Sequence, residues 1–134
     1  MCNTMDIVFC SCKMTIRDIN VEIYHHKIKL IEINKKDKYF KLEEILYQYN
    51  LPSDTLNDIK YNIENKCING GWTISSMSRR LSLVIILPCS NKESRRDVIN
   101  HEKRHVEDDI LEHCGVNDKE ASAYLAGYLS KYMY

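Results

Sequence analysis

Proline and glycine are scarce, with two prolines and four glycines in 134 residues. There is no internal repeat, low-complexity tract or Gly/Ser-rich linker, so nothing marks a boundary between domains. Residues 1–134 are expected to form a single domain, a length that suits one core. Net charge is also missing: 19 Lys and Arg balance 19 Asp and Glu. A neutral chain has no broad attraction for nucleic acid or an anionic membrane, and the Arg79-Arg80 and Arg95-Arg96 pairs read as solvated surface. No apolar run approaches the roughly 18 residues that span a bilayer. Met1-Cys2-Asn3-Thr4-Met5-Asp6 lacks the basic-then-apolar order of a secretory signal, so a cytoplasmic protein is expected. Six cysteines are present but no C-x-x-C pair: Cys2, Cys10, Cys12, Cys67, Cys89 and Cys114 are scattered and read as free, mostly buried thiols.

The chain does carry one dense cluster of chemistry-bearing residues, His101-Glu102-Lys103-Arg104-His105. On a helix, residues four apart share a face, so this H-E-x-x-H pattern lets two imidazoles converge on one cation with a carboxylate beside them. The flanks support a helix. Val98, Ile99, Val106, Ile110, Leu111 and Cys114 recur at helical spacing, while Lys103, Arg104, Glu107, Asp108 and Glu112 supply a solvated side. Ser90, Asn91 or Ser94 caps the front and Gly115 provides the left-handed exit, placing the helix at 92–114.

A catalytic zinc takes three protein ligands and keeps a fourth position for water. The compact pattern with a third histidine ten residues after the first is excluded, because that position is Leu111. His113 and Cys114 lie about 12 Å or more beyond His105 along the same helix, too far to share its ion. Glu120 opens a second amphipathic helix, 118–132, after the short connection Gly115-Val116-Asn117. Ala123 and Gly127 share its face and would allow close approach to the first helix. Glu120 reads either as a metal ligand or as the third residue of a capping box opened by Asn117.

The pentapeptide, followed by Glu120-Ala121-Ser122-Ala123-Tyr124-Leu125-Ala126-Gly127-Tyr128, resembles the gluzincin arrangement of zincin metallopeptidases. It is most similar to small single-domain metallopeptidases of phages and bacterial mobile elements. The resemblance runs from about Gly70 to the C-terminus. It implies a zinc (Zn2+) cofactor held by His101, His105 and Glu120, with Glu102 as general base and a protein or peptide as substrate. Residues 1–69 match no motif.

Ahead of this helix, Gly70-Gly71-Trp72-Thr73-Ile74 and Leu81-Ser82-Leu83-Val84-Ile85-Ile86-Leu87, ended by Pro88, read as two antiparallel strands. Leu81–Leu87 is apolar on both faces and reads as a core strand, while in zincins an edge strand near the zinc helix pairs with extended substrate. Residues 5–12 and 20–33 read as strands, the second with a turn near His25-His26-Lys27. Cys10 and Cys12 then share one strand face and pack there, and adjacent His25 and His26 point apart and cannot easily share a metal. Phe40, Leu42, Ile45, Leu46 and Tyr49 follow helical spacing, and Ser53 or Asp54 caps a further helix after Pro52. The expected fold is α+β: a minimal zincin-like domain with a small, mostly antiparallel sheet, the H-E-x-x-H helix and a packed C-terminal helix.

The function expected from these residues is zinc-dependent hydrolysis of an amide bond, with Glu102 moving the proton and Tyr124 or Tyr128 available to assist at the oxyanion. Two other readings compete. One is a catalytically inactive zincin-like module that binds peptides or regulates, its metal structural or absent; the other is a chance pattern on a charged helix. Retention of Glu102 between the histidines favours chemistry, since a structural site needs no base there.

Overall fold

A computed structural model describes residues 14–134, so Cys2, Cys10, Cys12 and the strand expected at 5–12 lie outside the described residues. Four strands, β1 (Thr15–Val21), β2 (His26–Glu32), β3 (Gly71–Ser76) and β4 (Leu81–Ile86), form one sheet in the order β1-β2-β4-β3. Four helices accompany them: α1 (Tyr39–Leu46), α2 (Ser53–Glu64), α3 (Lys92–Cys114) and α4 (Lys119–Met133). The architecture is α+β.

The sheet is mixed. β1–β2 and β3–β4 are antiparallel, but β2 and β4 run parallel. Parallel neighbours need a long crossover, and α1, α2 and β3 supply it. The strand expected over 20–33 is divided: β1 ends at Val21, a short 3₁₀ turn covers Glu22–Tyr24, and His25 at φ 50° reverses the chain into β2.

Both faces of the sheet are covered, which explains the unbroken apolar run of β4. Alternate residues point to opposite faces of a strand. Val84 and Ile86 join Ile28, Leu30, Ile99, Val106, Ile110, Leu125 and Leu129 under α3 and α4. Leu83, Ile85 and Leu87 join Ile31, Ile33, Leu42, Leu46, Ile59 and Ile63 under α1 and α2. No helix among the described residues is long and apolar enough to cross a membrane.

Several local expectations need correction. Neither Ser53 nor Asp54 occupies the cap of α2; Pro52 does, with no side-chain cap bond. Lys103 and Glu107 do not belong to a solvated side: their side chains form a 2.8 Å ion pair and are about 12% and 11% exposed. Arg95 is not simply solvated either, because its guanidinium donates to both Glu32 carboxylate oxygens, at 2.7 and 3.0 Å. Cys114, assigned to the apolar side of α3, is exposed.

Candidate functional site

The helix that carries the motif is defined at both ends by local chemistry. Asn91 Oδ1 accepts from the Ser94 amide at 2.8 Å, satisfying one of the donors a helix start leaves unpaired. At the other end Gly115 adopts φ 67° and its amide reaches back to the carbonyls of Leu111 and Glu112. His101, Glu102 and His105 therefore lie well inside a continuous α3.

Burial of Ile99, Val106 and Ile110 against the sheet sets the rotation of α3. His101 and His105 then fall on its outer rim and are exposed, while Glu102 turns towards the sheet and is 4% exposed. The two imidazoles stand edge to face, with ring centroids 4.8 Å apart and Nε2 atoms separated by 3.2 Å. Two nitrogens bound to one tetrahedral zinc at about 2.0–2.1 Å each would stand about 3.3 Å apart. The separation matches that of two ligands on one cation and equally that of a hydrogen bond in which one ring donates its Nε2–H to the other.

Glu102 is held by β3. The strand alternates, sending Trp72 and Ile74 to the α1/α2 side and Gly71, Thr73 and Ser75 towards α3. Thr73 Oγ1 lies 2.8 Å from Glu102 Oε1, its donor direction, and 3.3 Å from the Glu102 carbonyl oxygen. Gly71 makes room: a Cβ there would lie 2.8 Å from the Ile85 carbonyl oxygen and 3.2 Å from Glu102 Cγ. Neither Gly71 nor Thr73 stood out in the sequence, although the small-and-polar alternation of Gly71, Thr73 and Ser75 against Trp72 and Ile74 was the available signal.

A second polar chain crosses the same layer. His26 Nε2 and Ser82 Oγ are 2.8 Å apart, Ser82 and Ser75 hydroxyls 2.7 Å, and Ser75 Oγ donates to Asp109 Oδ2 at 2.6 Å. Burial lowers the pKa of His26 below its ordinary 6.5; Asp109 opposes that shift, while His113 and Arg80 add to it.

Glu120 is placed differently from the histidine pair. It is exposed, and its amide is bonded by Asp118 Oδ1 at 2.9 Å, so Asp118 rather than Asn117 caps α4. The helix buries Leu125, Leu129 and Met133. At about 100° per residue, Glu120 sits half a turn of the helix away from Leu129. The Glu120, Ala123 and Gly127 face consequently points outward, and apart from its chain neighbours and the backbone of its own helix nothing described lies within 4 Å of a Cβ placed on Gly127. The small residues expected to bring this face against α3 do not form the contact, because the larger apolar stripe outweighs them in buried area. Among the described residues, no three His, Cys, Asp or Glu side chains gather as a group able to hold a metal ion. Tyr124 is exposed, and the Tyr128 hydroxyl donates to the carbonyl of Asn20 in β1 at 2.5 Å.

What the site brings together is an accessible bis-imidazole pair, a buried carboxylate next to it, and the edge strand β3, whose outer side pairs with no described strand. No family model, curated protein or solved structure matches this chain.

Proposed function

We propose that α3 carries the centre of a zinc-dependent hydrolase of zincin type, acting on peptide bonds, with His101 and His105 holding the ion and Glu102 as general base. The observation that carries this is the 3.2 Å separation of the two Nε2 atoms next to an anchored carboxylate. When bound, zinc supplies a Lewis acid for the substrate carbonyl and lowers the pKa of its water towards neutrality. Glu102 keeps one oxygen on Thr73 and takes the water's proton on Oε2, then delivers it to the leaving amine nitrogen. The unpaired side of β3 offers main-chain donors and acceptors to an extended substrate. Glu120, implied as third ligand by the gluzincin resemblance, starts from a solvent-facing position.

The test is zinc titration with peptide-library cleavage on wild type, His101→Ala, His105→Ala, Glu120→Ala and Glu102→Gln. Either histidine substitution should abolish binding, and Glu120→Ala should weaken it far less. Glu102→Gln should retain zinc and lose cleavage by about a hundredfold or more. Full occupancy in a His101→Ala/His105→Ala double variant would remove the proposal.

A second reading, a non-catalytic module, draws on the burial of Glu102 and its bond to Thr73, which tie α3 to β3 whether or not a proton moves. Zinc binding without cleavage of any library member in wild type would select it.

A further inference from the structure

We propose that Thr73 is the positioning residue of Glu102, holding Oε1 from the edge strand and leaving Oε2 as the oxygen that takes the proton; the inference rests on the hydrolase reading above. A glutamate side chain on a helix has three rotatable bonds, and ordering it costs rotamer entropy at each turnover unless something holds it beforehand. Here two alternate residues of β3 do so. The Thr73 hydroxyl has a single proton and two acceptors on Glu102, Oε1 at 2.8 Å and the carbonyl oxygen at 3.3 Å; Oε1 is the nearer, and no bond from Thr73 reaches the other carboxylate oxygen. Gly71, one strand repeat earlier on the same face, leaves the space that Glu102 Cγ occupies, 3.2 Å from where a Cβ would stand. The Ser75–Asp109 bond at 2.6 Å repeats the link seven residues further along α3, so strand and helix are joined at two places.

The test compares wild type, Thr73→Val and Thr73→Ser as full chains carrying one equivalent of zinc, on the best-cleaved member of a fluorogenic peptide library. Thr73→Val should lower kcat about tenfold or more with KM and zinc affinity nearly unchanged, and Thr73→Ser, which restores the hydroxyl, should recover most of the loss. A readout independent of activity is a thermal double-mutant cycle on metal-free protein. Thr73→Val should lower Tm in wild type and change it much less in Glu102→Ala. Unchanged kcat in Thr73→Val, or strictly additive melting shifts, overturns the positioning role while leaving the hydrolase reading intact. Absence of zinc-dependent cleavage in wild type overturns both.

Discussion

His26 shows how one buried side chain ties folding to pH. It is 4% exposed, and burial holds its pKa below 6.5, with Asp109 and His113 facing it from α3 and Arg80 from the β3–β4 turn. Between the folded and unfolded pKa values the unfolded chain binds more protons, so stability present above pH 6.5 is lost as pH falls through the lower, folded value. Urea midpoints should therefore drop between pH 7.5 and pH 5, and drop less in His26→Gln, which keeps a polar partner for Ser82. An equal drop in both proteins would assign the effect to other groups. Glu102 and the two histidines illustrate the opposite legibility. Their spacing was evident from five consecutive letters, but which of them is buried depends on how α3 is rotated against the sheet.

At the scale of the element, α3 is the part of the chain most completely written in its own sequence. Three cap candidates (Ser90, Asn91 and Ser94), Gly115 and the apolar spacing between them predict a helix over about 92–114; it spans Lys92–Cys114, with Asn91 as the cap. Capping and periodicity act within a few residues, so no distant contact is needed to read them. Replacing Asn91 by Ala should cost about 0.5–2 kcal/mol in denaturant unfolding. The zinc affinity proposed for the imidazole pair should be unaffected, because the histidines lie beyond the first turn, where fraying is confined. A parallel loss of zinc affinity would show that the cap and the imidazole pair are coupled. α4 was less legible. The face expected to meet α3, Glu120-Ala123-Gly127, is the one turned to solvent, and Leu125, Leu129 and Met133 are buried instead.

For the whole molecule, the decisive feature is a sheet packed on both sides. Ile85 is 0% exposed in the layer under α1 and α2, so Ile85→Ala should destabilise by about 2–5 kcal/mol, the range for emptying a packed apolar site. Ile16, on edge strand β1 and 42% exposed, should change stability by no more than about 0.5 kcal/mol when cut to Ala. Chemical denaturation of both variants checks that β4 is buried under α1 and α2 while the edge strand β1 is not. Similar losses at the two positions would contradict it.

Local chemistry alone determined the H-E-x-x-H helix with its two ends, the β3–β4 hairpin and the character of β4 as a strand buried on both faces. Each depends on spacing, turn residues or capping groups close together in the chain. The parallel pairing of β2 with β4, the position of β3 at the sheet edge, the Thr73 bond to Glu102 and the outward turn of Glu120 required the assembled fold. They are set by which distant apolar surfaces bury one another, and Thr73 meets Glu102 across 29 residues only once α3 has docked on the sheet.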